Sequence, residues 1–234
     1  MNKAGLWLLA ALPLLSLAAA GGWPPTRDEP KEPAAGGGDK APTRSVKGQV
    51  LTSAELPAAS LTFDKEFKYV GGQTFILHDV ARAEQHFFVD ADEKGRIKRM
   101  YWVQFEGYLP SNTHTYRYKA TKTVKIGGLE FIADAGVRNS KGNPGRPDSD
   151  GNRACAFLEK KGHRMASDDV LTQRLVHLVD EQKRNELMII YMEDLAAMKL
   201  TAKDLAPGGR AAAQWDDIAK GLLERALKGM EIAR

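Results

Sequence analysis

The chain has 234 residues, a formal net charge of +4 and 27% charged residues. Its charges are interspersed and form no basic stripe, which excludes nucleic acid as an expected partner and leaves a weak attraction to an anionic envelope surface. The single cysteine, Cys155, excludes an internal disulfide. We interpret it as a small buried residue in an apolar stretch rather than as a nucleophile.

The first 20 residues predict a secretory signal peptide. Lys3 precedes an apolar run over residues 4–17, and Ala18-Ala19-Ala20 provides the small residues that a signal peptidase requires. The run is near the lower length limit of a spanning helix and contains Pro13, although retention as a membrane anchor stays an alternative. We therefore expect an exported protein that is periplasmic or secreted.

Residues 21–45 have the composition of a disordered linker. They are rich in proline and glycine, their charges cancel, and no large apolar residue follows Trp23. Such a segment buries too little apolar surface to offset the entropy lost on ordering. Residues 46–234 are then long enough for a single domain with its own core.

Strands are predicted where aromatic and β-branched residues cluster between turn residues. In the first half of the domain they cover residues 67–70, 73–80, 86–89, 97–106 and 115–119. The strand over residues 97–106 has aromatic side chains on both faces. We expect such a strand at the centre of a sheet, with one face against a helix.

A β-hairpin is predicted around Gly127-Gly128, because two glycines supply the positive φ angles of a primed turn. Counting outward from the turn predicts three cross-strand pairs: Ile126 with Leu129, Lys125 with Glu130, and Val124 with Phe131. This register places the opposite charges on one face and the apolar groups on the other.

The second half combines a loop, a hairpin and a helix. Residues 134–153 predict a long surface loop, because they lack large apolar residues. Residues 175–179 and 186–191 predict a second hairpin, although leucines over residues 171–179 also fit a helical stripe. Residues 211–228 predict a C-terminal helix that ends before Gly229. The expected fold is α+β: a curved antiparallel β-sheet, a partial barrel, covered by the long C-terminal helix.

Two groups of residues have the chemistry of metal ligands. His78, Glu84 and His86 suit a transition metal if neighbouring strands bring them together. A calcium-loop pattern is formed by Asp148, Asp150, Asn152 and Glu159, but Arg153 stands where the loop requires glycine. Because spacing does not fix geometry, we interpret both groups as ordinary polar residues and expect neither a metal nor another cofactor.

The sequence contains no nucleophile elbow, P-loop, dinucleotide fingerprint or zinc-protease motif, and we assign no catalytic residue. The leading hypothesis is an exported soluble domain that binds a small apolar or amphipathic molecule between the sheet and the C-terminal helix. The candidate ligand-binding residues are Tyr101, Trp102, Phe105, Glu106, Tyr108, Tyr116 and His86.

Three alternatives stay open. The aromatic residues fit ordinary core packing equally well. An envelope hydrolase would need Glu106 and His86 to meet in one site, so whether the protein is an enzyme is undecided. An envelope interaction module without a pocket would show an exposed apolar patch of several hundred Å².

Overall fold

The computed structural model describes residues 42–119, 122–142 and 145–234. Its strands and helices, in chain order, are β1 (Ser45–Lys47), β2 (Val50–Ser53), β3 (Ala59–Phe63), β4 (Lys68–Leu77), β5 (Ala81–Ala91), β6 (Arg96–Tyr108), β7 (Thr123–Ile126), β8 (Leu129–Asn139), α1 (Asp150–Lys160), β9 (Arg164–Met165), β10 (Asp169–Leu178), β11 (Asn185–Asp194), α2 (Ala202–Leu205), α3 (Trp215–Lys228) and β12 (Met230–Ala233).

These strands form two sheets. The larger sheet has the order β4-β5-β6-β11-β10-β8-β7, with β9 added in parallel beside the start of β6. The smaller sheet has the order β1-β2-β3-β12. All other pairings are antiparallel, and the sheets do not close into a barrel. The predicted α+β fold, with an antiparallel sheet and a C-terminal helix, is therefore confirmed.

The long central strands are buried on both faces, as the aromatic pattern of β6 predicted. Alternate residues point to opposite sides of a strand, so the larger sheet has two distinct faces. The α3 face packs against α3 and the smaller sheet in the largest hydrophobic core. The α1 face packs against α1 and the extended segment over residues 112–119, around a smaller apolar cluster.

The β7–β8 hairpin has the predicted register. Ile126 pairs with Leu129, Lys125 with Glu130, and Val124 with Phe131. Both turn glycines have positive φ, 56° at Gly127 and 82° at Gly128. At Gly127 a Cβ atom would lie 2.1 Å from the carbonyl oxygen of Ile232, so glycine also lets the turn approach β12.

Several predicted boundaries are wrong. The two segments over residues 67–80 form one strand, β4, which continues through Gly71-Gly72 with a bulge beside Tyr69. Residues 115–119 form no strand. The backbone N–H of Tyr116 donates to the loop carbonyl of Lys183, and the Tyr116 side chain faces the sheet.

The predicted loop over residues 134–153 is also wrong in part. Strand β8 runs to Asn139, and α1 begins at Asp150, where Ser149 caps its N-terminus by accepting from the Asn152 N–H. The apolar side chains of this part of β8 are Ala135 and Val137, which are too small to mark a strand in the sequence pattern.

Near the C-terminus, the hairpin of β10 and β11 is confirmed, and the helical alternative over residues 171–179 is wrong. The C-terminal helix begins at Trp215 after a short 3-10 turn and ends at Gly229 as predicted. The chain then adds β12, whose Met230 and Ile232 are buried. Four residues after a helix stop are too few to show a strand pattern.

The predicted signal peptide over residues 1–20 lies outside the described residues, as does the linker up to residue 41. The linker's final residues are described: Thr43 and Arg44 contact Glu84, and Ser45 begins β1. Within residues 42–119, 122–142 and 145–234, no helix combines the length and apolar character that crossing a bilayer requires.

Candidate functional site

The seven candidate residues are divided between the two faces of the larger sheet. On the α3 face lie Tyr101, Phe105 and His86, because His86 pairs with Val103 and its ring contacts that of Phe105. The α1 face carries Trp102, Glu106, Tyr108 and Tyr116. The residues therefore do not line one cavity.

On the α3 face the candidate aromatic residues belong to the core. Tyr101 is fully buried, its hydroxyl donates to the Ala226 carbonyl of α3 over 2.7 Å, and its ring lies 4.8 Å from those of Phe67 and Tyr191. Phe105 is 3% exposed and lies beneath the Arg44 guanidinium. On this face, ordinary core packing accounts for the aromatic side chains.

A network of hydrogen-bonded polar side chains also crosses the α3 face. His86 is fully buried; its Nε2–H donates to Glu84 over 2.9 Å, and its Nδ1 lies 3.0 Å from the Tyr69 hydroxyl. Glu84 also accepts from the Thr43 hydroxyl, the Arg44 N–H and the Arg44 guanidinium, at 2.7, 2.9 and 3.0 Å. This network thus connects the start of the folded domain to β5.

In this network the partners of Glu84 stabilise its negative charge. Burial raises the pKa of Glu84, but the hydrogen bonds from His86, Thr43 and Arg44 outweigh burial and hold that pKa well below its usual range. Burial, aided by the Glu84 carboxylate, raises the pKa of Tyr69 to about 12. Glu84 is therefore a structural anion and Tyr69 a neutral phenol at physiological pH.

His78, Glu84 and His86 do not come together as a metal site. His78 lies in the turn after β4 and bonds Asp148 at 3.0 Å, whereas His86 bonds Glu84 inside the sheet. In the part of the chain that the structure describes, no group of three or more histidine, cysteine, aspartate and glutamate side chains is arranged to hold a metal ion.

The calcium-loop pattern is the start of a helix. Asp150 is buried at the first position of α1, and Asn152 lies in its first turn. Cys155, on the same helix, is exposed, so the expectation of a buried cysteine is wrong. The buried apolar side chains of α1 are instead Ala154 and Leu158, whose spacing places both on the face towards the sheet.

The two-residue hydrolase site is also wrong in its geometry. Glu106 and His86 lie on opposite faces of the sheet, because His86 shares a face with Phe105 and Glu106 is the next residue along β6. Two side chains separated by the sheet cannot act on one substrate.

On the α1 face, three tyrosines and two glutamates form what we call the tyrosine–glutamate cluster. Its members are Tyr108, Tyr116, Tyr118, Glu106 and Glu186. The Tyr116 hydroxyl donates to Glu106 over 2.9 Å, and the Tyr118 hydroxyl donates to Glu186 over 2.6 Å. The two carboxylates face each other directly across β6 and β11.

The tyrosine rings of the cluster form a stack. The Tyr108 and Tyr116 centroids are 4.5 Å apart, and those of Tyr116 and Tyr118 are 6.5 Å apart with nearly parallel planes. Tyr116 is buried, while Tyr108 and Tyr118 are half-buried. The stack thus reaches from the sheet towards solvent at both ends.

A row of amides extends the cluster across the sheet. Gln73 donates to Gln85 at 2.7 Å, Gln85 to Gln104 at 2.8 Å, and Gln104 to Glu106 at 2.5 Å. Gln85 also donates to the carbonyl of Asp150, at the start of α1. One amide donor of each glutamine in this row thus points towards Glu106.

Sequence reasoning found Glu106, Tyr108 and Tyr116 but missed Glu186 and Gln104. Gln104 shares a face with Glu106 through the alternation of β6, a signal that the sequence did contain. Glu186 joins them only because β11 lies beside β6 in this register, which no local pattern shows.

Comparisons of this chain with protein-family models, with curated proteins and with solved structures returned no match.

Proposed function

We propose that the protein is exported and binds a small apolar or amphipathic molecule at the tyrosine–glutamate cluster. This keeps the ligand class expected from the sequence and moves the site from the α3 face to the α1 face. The supporting observation is the stack of Tyr108, Tyr116 and Tyr118 beside two buried carboxylates. Stacked rings accept flat apolar groups, and carboxylates accept hydrogen bonds from donors on the ligand.

Burial of so many polar groups supports a binding role over a structural one. Glu106 is 3% exposed, Glu186 1%, and both Gln85 and Gln104 are fully buried. Apolar side chains of similar shape would stabilise the sheet at least as well, since the desolvation of each buried charge costs on the order of several kcal/mol. Polar clusters retained at such a cost are frequent at functional sites.

The pocketless interaction module has less support. Among the described residues, the large hydrophobic side chains that are exposed are Leu56 and Met198, at 45% and 40%. Two such side chains do not form an apolar patch of several hundred Å².

The proposal is tested by native mass spectrometry of the full-length protein purified from its own host. A retained small molecule is expected in the wild type and is expected to be lost in the double variant Glu106→Gln/Tyr118→Leu. Tyr101→Phe is the matched control, because Tyr101 is an aromatic residue of β6 on the α3 face. Retention in the double variant, or loss in Tyr101→Phe at unchanged folding, contradicts the proposal.

A further inference from the structure

The segment that supplies the tyrosine stack also carries four exposed cations, which we call the basic strip. Its members are Arg117, Lys119, Lys122 and Lys125, and all four are exposed. Residues 107–129 contain no aspartate or glutamate. The expectation of interspersed charges without a basic stripe therefore fails in this segment.

The basic strip is not used by the fold. Within the described ranges, no hydrogen bond or ion pair involves any of its four side chains. Other cations of the domain are matched: Arg44 pairs with Glu84, Arg99 with Asp90, and Arg225 with Glu193. Unmatched exposed cations add nothing to stability, so they are available to an external anion.

Three members of the strip, Arg117, Lys119 and Lys125, face the α1 side of the molecule. Tyr116 and Tyr118 point inward to Glu106 and Glu186, so the intervening Arg117 and the following Lys119 point away from the sheet. Lys125 pairs in register with Glu130, which alternates with the core residue Phe131, so Lys125 also lies on the α1 side. In the sheet register, Glu130 is the acidic residue nearest to the strip. One carboxylate beside four cations leaves the strip with a net positive charge.

We propose that the basic strip docks the domain on a bilayer surface that contains anionic lipids. Independent exposed lysines suit a surface of separate headgroups, whereas a bound small anion needs convergent donors in a recess. Single-stranded nucleic acid needs rings for base stacking on the same surface as the cations. The Tyr116 and Tyr118 side chains point to the sheet, on the side opposite to Arg117 and Lys119.

The test measures co-sedimentation of the full-length protein with phosphatidylcholine vesicles and with vesicles that also contain phosphatidylglycerol. The readout is the ratio of the two partition coefficients, so that any effect of the apolar N-terminal run cancels. Each cation near an anionic bilayer strengthens binding roughly fivefold, so Lys119→Gln/Lys125→Gln is expected to lower the ratio by about 25-fold. High salt is expected to lower the wild-type ratio in the same way.

The matched control is Lys203→Gln/Lys220→Gln, which removes two exposed lysines from α2 and α3. An equal loss in this control would show an effect of net charge alone and would overturn the proposal. An unchanged ratio in Lys119→Gln/Lys125→Gln would also overturn it. So would a single-stranded oligonucleotide whose binding is lost in that variant while vesicle binding is not.

Discussion

Glu84 and Glu106 lie on adjacent strands and on opposite faces of the larger sheet, and both are almost fully buried, at 4% and 3% exposure. The α3 face surrounds Glu84 with a guanidinium, an imidazole and a hydroxyl. The α1 face presents Glu106 with an amide and a phenol, and places Glu186 directly opposite.

The two environments differ in the partners that this chain gives each carboxylate. On the α3 face the buried charge has a full set of charged and polar partners from this chain, so the network stabilises the junction between the linker and the sheet. The α1 face gathers amides, phenols and two carboxylates where apolar residues would pack as well. We infer that the α3 face holds the fold together and that the α1 face carries the ligand site.

The largest expected effect is on stability and comes from Arg44→Ala. It removes the cation that pairs with Glu84 and covers the Phe105 ring at 3.8 Å, which leaves a buried carboxylate without its charge partner. We expect the free energy of unfolding to fall by about 3 kcal/mol. Urea denaturation measures the change.

The double variant Arg44→Ala/Glu84→Gln is the control for this first effect. If charge pairing causes the loss, the double variant is expected to regain part of it, because no unpaired charge remains. A loss below about 0.5 kcal/mol for Arg44→Ala would place Arg44 in the linker, outside the cooperative unit.

The next expected effect concerns the β7–β8 turn, which lies against β12. Gly127→Ala forces an alanine into φ 56° and places its Cβ 2.1 Å from the Ile232 carbonyl oxygen. We expect a loss of about 2 kcal/mol from strain and overlap together. Thermal unfolding and urea denaturation measure it.

Gly48→Ala separates the two causes. Gly48 has a similar φ of 60°, and a Cβ atom at this position would have nothing within 4 Å, so its substitution carries the backbone strain alone. It is expected to cost about 1 kcal/mol. Equal losses at both positions would show that the contact between the turn and β12 is unimportant.

The third prediction is a pH dependence that belongs to the α3 face. The folded-state pKa of Glu84 lies well below its unfolded value, so below about pH 5 the unfolded chain binds more protons than the folded one. The stability from Glu84 is therefore complete above that pH and is lost as the pH falls further. We expect the stability difference between wild type and Glu84→Gln to shrink on acidification.

The comparison of unfolding free energies at several pH values isolates Glu84 from other acidic groups. Asp148 and Asp180 also have lowered pKa values, but they contribute equally to wild type and variant. A difference that stays constant from neutral to strongly acid pH would contradict the assignment of Glu84 as the ionised centre of the network.

The fold is more predictable than the site, for a physical reason. The hairpin at Gly127-Gly128 and the helix ending at Gly229 depend on local turn chemistry and periodicity, which the sequence contains. Glu106 and Tyr116 are found because they lie near aromatic residues in the chain. Glu186 and the division of candidates between faces depend on β11 lying beside β6, a pairing over a long sequence separation.

Arg44 also shows that local sequence does not predict contacts between residues distant in the chain. Its neighbours in the chain have the composition of a disordered linker, and local reasoning assigns it there. Its order comes from Glu84, Ser53 and the Phe105 ring, which are distant in sequence. Composition describes what a segment does alone, and tertiary contacts with a buried carboxylate override it.

The smallest expected effect makes the comparison of the two faces most direct, since the same substitution is made on each. Glu106→Gln keeps the shape and retains an acceptor for Tyr116, while its amide group replaces the oxygen that accepts from Gln104. We expect the free energy of unfolding to change by less than about 1 kcal/mol. Glu84→Gln leaves the half-buried Arg44 cation without its charge partner and is expected to cost several times more. Urea denaturation of both variants at neutral pH measures the contrast. Equal losses would mean that both glutamates stabilise the fold. That result would contradict the proposal that the α1 face carries the ligand site.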